Sequence, residues 1–175
     1  MINFPKHDDE RCLQLLEASR PYLESLSNEM KINYVQPNYF QKIVVPLSVY
    51  LSNLPERKKP YFIGLNGGQG SGKTTLSDFV QVVLSKVSNR SVTGFSIDDI
   101  YKTTEEREEQ SKEIHPLCKV RGVPGTHNIQ MGLEVLDSLS NATKDTLTPI
   151  PAFSKPLDRH KPKEDWKVFK GKPDF

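Results

Sequence analysis

The sequence predicts an α/β fold, a parallel sheet with helices on both faces, preceded by a helical N-terminal segment. Three observations carry this. Residues 61–66, Tyr-Phe-Ile-Gly-Leu-Asn, are a short apolar run closing on glycines, as a buried strand does. Residues 73–87 follow as an amphipathic helix with Leu76, Phe79, Val80, Val83, Leu84 and Val87 along one face. Residues 91–97 then read as a second strand, entered through a polar Ser88-Asn89-Arg90 turn. Strands alternating with helices build a parallel sheet.

Ahead of that unit, residues 1–60 read as a helical extension. Asp8 and Asp9 lead into Leu13, Leu15 and Leu16, and Pro21 is expected to interrupt the helix before it. A second segment places Phe40, Ile43, Val44, Leu47, Tyr50, Leu51 and Leu54 at steps of three or four, and Pro46 within it predicts a kink or break. Glu56-Arg57-Lys58-Lys59-Pro60 forms a charged hinge, which places the domain boundary at 60/61. Beyond the second strand, Thr103-x-x-Glu106 has the spacing of a capping box and opens an acidic helix to about Lys112. The run Glu105-Glu106-Arg107-Glu108-Glu109 reads as a solvated helix face rather than a metal site. Asn128 ends a Gly/Pro-rich loop and can cap a helix with Ile129, Leu133, Leu136 and Leu139 as its buried face. Residues 146–150 are the third predicted strand.

At 175 residues the chain has the length of one domain. Hydrophobic residues make up 35% and the mean hydropathy is −0.56, on the polar side for a globular protein. The longest mostly apolar stretch, 43–51, contains a proline and falls far short of the ~20 residues of a membrane-spanning helix. The opening Met1-Ile2-Asn3-Phe4-Pro5-Lys6-His7-Asp8-Asp9 has no signal-peptide core. Cys12 and Cys118 match no metal spacing, so they are expected to be free thiols in a reducing, cytoplasmic setting. The net charge of +2 gives no global field for nucleic acid or an anionic membrane, and neither is expected as a partner. Locally, seven Lys/Arg against three acids lie between Lys155 and Lys172. That segment is either a solvated polar stretch or a surface that meets an anionic ligand.

The strongest motif is Gly67-Gly68-Gln69-Gly70-Ser71-Gly72-Lys73-Thr74, followed by Thr75, which fits the P-loop pattern G-x-x-x-x-G-K-[ST]. Glycines permit positive φ and a close approach of backbone to ligand. Successive N–H groups make an anion nest, and the following helix adds its positive dipole end. Lys73 would place an ammonium between β- and γ-phosphates, and the Thr74 hydroxyl is a Mg²⁺ ligand. ATP and Mg²⁺ are the expected cofactors. The second strand ends in Ser96-Ile97-Asp98-Asp99-Ile100-Tyr101, and ligands of open α/β sheets sit at the carboxyl ends of strands. A carboxylate there can take a proton from an attacking hydroxyl or hold Mg²⁺. Alternatively, Asp98 and Asp99 only turn the chain and cap the next segment.

Together with His115-Pro116-Leu117 and Arg121-Gly122-Val123-Pro124-Gly125-Thr126-His127, these motifs resemble the D-glycerate 3-kinase family, within the phosphoribulokinase/uridine kinase group of P-loop kinases. The resemblance runs from about Tyr61 to about Arg159. It implies Lys73 and Asp98 as catalytic residues, with Thr74 and Asp98 at the metal. It further implies that Asp99, Tyr101, Arg121, Thr126, His127, Lys155 and Arg159 contact the acceptor or the transferring phosphate. For Arg121, His127, Lys155 and Arg159, plain solvation or structural hydrogen bonding remains the other reading.

The chain departs from the family pattern twice. Asn128 stands where relatives usually carry Asp, which still caps a helix but removes a charge. The family also has a further buried strand, ending in a Glu-Gly-Trp turn, where this chain reaches Lys170-Gly171-Lys172-Pro173-Asp174-Phe175. The resemblance is thus to the N-terminal part of such a kinase, 61–175, with C-terminal strands expected to be missing. Self-association, or pairing with a C-terminal half, is a further expectation. The function implied is phosphoryl transfer from ATP to a hydroxyl of D-glycerate or a similar small acceptor. The alternative is a non-catalytic or partner-completed nucleotide-binding fragment.

Overall fold

The computed structural model describes residues 4–36 and 38–175; the first three residues of the helical extension, and Pro37, lie outside the described residues. The chain divides into two compact units, Met1–Val92 with Asp174–Phe175, and Thr93–Pro173.

The first unit is helical. Helix α1 spans Glu10–Glu29, α2 spans Val45–Ser52 and α3 spans Lys73–Lys86. Pro21 does not interrupt α1, contrary to expectation. A proline there leaves the Glu17 carbonyl without its N–H partner, but Glu17 and Pro21 are both exposed, where solvent lowers the cost of that loss. Nor does Pro46 break the second segment, which runs on as helix from Phe40 to Ser52. A single π turn, Phe40–Val44, precedes α2, and Pro46 occupies the first turn of α2, where its missing N–H costs little. The core gathers Leu23, Val44, Leu51, Phe79, Val80, Val83 and Leu84, so α3 buries the face its periodicity predicts. The Phe79 ring is fully buried and meets Phe40 edge-on at 5.0 Å between centroids. Phe79→Ala should destabilise this unit by about 3 kcal/mol or more, read as a lower urea midpoint at unchanged slope.

The predicted parallel sheet is not formed among the described residues; only two small antiparallel sheets occur. Residues 61–66 run without helix or strand ladder, and Phe62, Ile63 and Leu65 are exposed. The reason lies at their start. The Tyr61 N–H donates to the Asp174 carbonyl at 2.9 Å, and the Asp174 N–H donates to the Ser91 carbonyl at 2.7 Å. Asp174 thus lies between the first residues of both predicted strands, which prevents their direct pairing. A ladder needs a partner along its whole length, and here only the first residues have one. Arg90 faces Asp174 at 3.6 Å, and Phe175 stacks on Tyr61.

The second unit begins with a 3₁₀ turn, Ile97–Ile100, then α4, Thr104–Glu113. The predicted capping box of α4 is present: Glu106 N–H donates to Thr103 Oγ1 at 3.2 Å, and Thr103 N–H to Glu106 Oε2 at 2.7 Å. A second 3₁₀ turn, Pro116–Lys119, leads through the glycine loop to α5, Ile129–Ser140, which Asn128 caps through the Met131 N–H. The buried face of α5 is Gly132, Val135 and Leu139, whereas Ile129 and Leu133 are exposed. Gly132 sets this rotation: a Cβ there would lie 2.9 Å from Ile100 Cδ1, so the helix is turned with its smallest residue on the 3₁₀ turn.

The third predicted strand forms as β1, Leu147–Ile150, but pairs antiparallel with β4, Lys167–Lys170. Phe169 of β4 packs on Val135, Leu139 and Ile150, which gives this basic segment an apolar anchor. Between them, β2, Phe153–Ser154, and β3, Arg159–His160, make a short hairpin. Much of the basic stretch is therefore folded backbone. Cys12 and Cys118 are free and buried. Among the described residues, no helix is long and apolar enough to cross a membrane.

Candidate functional site

The glycine loop of the first unit has the form its composition requires. Gly70 and Gly72 adopt φ of 73° and 81°, the left-handed region that side chains disfavour. Gly72 is the N-cap of α3, so the free N–H groups of a 14-residue helix open toward the loop. A Cβ on Gly67 would come within 2.9 Å of Ser71 Oγ, whereas one on Gly68, Gly70 or Gly72 would meet nothing within 4 Å. The loop is tight at its entry and open over its rim. Lys73 folds back on it, donating from Nζ to the Gly67 and Gly68 carbonyls at 2.8 Å each. Gln69, Ser71 and Thr74 are exposed, and Thr75 is half-buried.

The second unit holds a separate cluster of acid, base and aromatic groups. In the 3₁₀ turn Ile97–Ile100 the two aspartates divide their tasks. Asp99 is structural: Oδ2 accepts from Ser96 N–H at 2.9 Å and Oδ1 from Phe153 N–H at 3.3 Å. Asp98 points elsewhere, with Oδ2 2.6 Å from Lys155 Nζ. Burial raises the Asp98 pKa, but hydrogen bonds from Lys155 and Tyr101 and the Lys155 charge outweigh it and hold the carboxyl below its ordinary value. Burial, together with Asp98, pushes the Tyr101 phenol up. Burial lowers His127, against the pull of Asp98, which favours the neutral imidazole.

Backbone pairing brings Tyr101 and His127 side by side in an isolated antiparallel bridge, their rings stacked 4.5 Å apart. Thr126, fully buried, is spent on the loop: its Oγ1 donates to the Val123 carbonyl at 2.6 Å. Gly122 and Gly125, both at φ 89°, let the chain double back beneath Tyr101. The Arg121 guanidinium lies 5.9 Å from the Tyr101 ring centroid and 5.6 Å from that of Phe153. Arg121 Nη1, His127 Nε2 and His160 Nδ1 are buried and without a hydrogen-bond partner among the described residues. Unpaired buried nitrogens of this kind are uncommon in folded proteins and suit an incoming acceptor. Of the residues singled out in the sequence, Asp98, Tyr101, Arg121, His127 and Lys155 come together here. Arg159 instead stands exposed in the β2–β3 hairpin.

Sequence reading missed Phe153 and His160, which complete the aromatic wall: Phe153 meets Tyr101 at 5.5 Å and His160 at 5.3 Å, and His160 Nε2 bonds the Tyr101 carbonyl at 2.8 Å. It also missed Arg107 and Asp158. Arg107 is an isolated cation inside a glutamate run, which by itself reads as solvated, and Asp158 follows Pro156 in a turn. Among the described residues no group of three His, Cys, Asp or Glu side chains could hold a metal ion.

Comparison with known proteins decides the kinship. The chain is 34% identical over 116 residues to the uncharacterized kinase mug58 of Schizosaccharomyces pombe, covering 65% of this chain and 41% of that protein. It is 34% identical over 99 residues to the chloroplastic D-glycerate 3-kinase of Arabidopsis thaliana, covering 55% and 22% respectively. The chain is a homologue of these kinases. The probable ATP-dependent kinase TDA10 of Saccharomyces cerevisiae matches at 33% over 106 residues, 56% of this chain and 36% of that protein. The solved structure of the YGR205w protein superposes with a TM-score of 0.53 at 23% identity, over 89% of this chain and 49% of that one, a likeness of fold. This chain therefore spans between about a fifth and two fifths of the length of the curated kinases it matches. No family model matches it.

Proposed function

We propose that the chain is an ATP-dependent small-molecule kinase, or the part of one that carries its phosphate loop and acceptor residues. The reaction is transfer of the γ-phosphoryl group to a hydroxyl of D-glycerate or a similar small acid. The observation that carries the reading is the 67–74 loop, with two left-handed glycines, an open rim and a lysine at the head of α3. The loop amides and Lys73 bind the triphosphate, Lys73 exchanging its two carbonyl partners for phosphate oxygens. Each unit offers one oxygen donor of the hard kind that Mg²⁺ takes, the exposed Thr74 hydroxyl in the first and the Asp98 carboxylate in the second. When bound, Mg²⁺ supplies neutralisation of charge on the phosphate oxygens.

Asp98 accepts the proton of the acceptor hydroxyl as its oxygen attacks the γ-phosphorus. The bond from that phosphorus to the bridging oxygen breaks, and ADP leaves. Lys155 tempers this base: while paired with Asp98 it keeps the carboxylate ionised and weak. Movement of its ammonium onto an arriving anion raises the basicity of Asp98. Arg121, beside Tyr101 and Phe153, suits a carboxylate on the acceptor through its unpartnered Nη1, with His127, stacked on Tyr101, as a further contact.

A non-catalytic or partner-completed nucleotide-binding role is the second reading. It is favoured by residues 61–66, whose exposed Phe62, Ile63 and Leu65 suit a pairing partner, from a second copy or a separate half. Transfer of phosphate from ATP to a panel of acceptors led by D-glycerate tests both. Transfer supports the kinase; nucleotide binding with no transfer to any acceptor supports the second reading.

A further inference from the structure

Arg107 is the most deeply buried charged side chain described, 2% exposed, on a helix that is otherwise polar. Each of its three nitrogens donates. Nε donates to the Lys102 carbonyl at 3.2 Å, Nη1 to the Lys119 carbonyl at 2.8 Å, and Nη2 to Thr104 Oγ1 at 3.3 Å and to Asp158 Oδ2 at 2.7 Å. Thr104 Oγ1 lies 3.0 Å from the Asp158 carbonyl and 3.3 Å from Oδ2. Asp158 takes φ 50°, a left-handed backbone that few side chains adopt, so its neighbours hold it in place. Its second oxygen, Oδ1, lies 3.1 Å from Arg121 Nε, a charge contact out of line for a hydrogen bond. Burying an arginine is costly unless its partners are fixed, so this network is a rigid support. Two guanidiniums share one carboxylate, which leaves one positive charge on the Arg121 side, where Nη1 is unpartnered.

We propose that Arg107 and Asp158 are positioning residues for the acceptor: the buried guanidinium fastens the Asp158 carboxylate, and that carboxylate aims the Arg121 guanidinium. Neither touches the reacting atoms. The inference rests on the acceptor role given to Arg121 above, and its test separates the two. Asp158→Asn should raise the KM for D-glycerate on the order of tenfold, with a smaller effect on kcat and none on the KM for ATP. In an Arg121→Gln background the same change should move that KM by less than about threefold, because its effect runs through Arg121. An equal factor in both backgrounds would overturn the proposal. Arg107→Lys, which keeps the charge but loses the planar fork, takes the same cycle and should shift the KM in the same direction; it stands in should Asp158→Asn fail to fold. A readout independent of activity is rotation about the Arg121 Nε–Cζ bond, measured by NMR of the guanidinium. It should quicken severalfold in Asp158→Asn. Unchanged rotation would overturn the proposal even if the wild-type chain proved inactive, an outcome that would separately defeat the kinase reading.

Discussion

Lys73→Ala should remove phosphoryl transfer by at least about three orders of magnitude while leaving the helical unit folded. Lys73 is half-exposed at the first position of α3, and its ammonium bonds only loop carbonyls, at Gly67 and Gly68. No buried apolar contact depends on it; the core face of α3 begins further along, at Phe79 and Val80. Far-ultraviolet circular dichroism and the urea midpoint should therefore stay near wild type while turnover vanishes. A variant retaining a tenth of wild-type turnover would end the assignment of this loop as the triphosphate site.

Asp98→Asn is the second large effect: turnover should fall about 10²–10⁴-fold, with nucleotide affinity near normal, if Asp98 takes the proton. An equal collapse of nucleotide affinity would mark Asp98 as a metal anchor. The pH dependence carries a second test. Asp98 is held below its ordinary value of 3.8, so the acid limb of kcat/KM should lie below the usual carboxylate range. Lys155→Met removes the stabilising ammonium and should move that limb upward. The sign for stability has the same cause. Folding lowers this pKa, so the ion pair stabilises the fold above the unfolded value and the contribution is lost as pH falls through the lower folded value. With both side chains partly exposed, solvent screens the effect, and its kinetic trace is the larger one.

The left-handed glycines of the 67–74 loop, the caps of α4 and α5 and the buried face of α3 were legible because each depends on a few neighbouring residues. Positive φ at Gly70 and Gly72 and the reciprocal bonds of Thr103 and Glu106 are local chemistry. The sheet was not legible in the same way. Residues 61–66 have strand composition, but composition does not supply a partner, and Asp174, 108 positions after Asn66, lies between the two runs where they start. Pairing of 147–150 with 167–170 was likewise a long-range choice, settled by Phe169 reaching the α5 cluster. At the candidate site, the Asp98–Asp99 pair was visible, yet which aspartate faces Lys155 depended on the distant Phe153 N–H, which takes Asp99. Arg107 was hidden because one arginine among glutamates looks solvated until its four acceptors are in place.

That distribution of bonds gives the two proposed roles different kinds of support. Asp98, paired with Lys155, sits in a four-residue turn whose neighbour Asp99 is tied to Phe153, in a hairpin of two-residue strands. A two-residue ladder holds a hairpin weakly, so this one rests on the Arg107–Asp158 bonds and on Phe153 packed against Tyr101, whereas α3 is rooted in the hydrophobic core of its own unit. In the proposed kinase, proton acceptance would therefore rest on a few polar bonds and ring contacts, and phosphate binding on an apolar core.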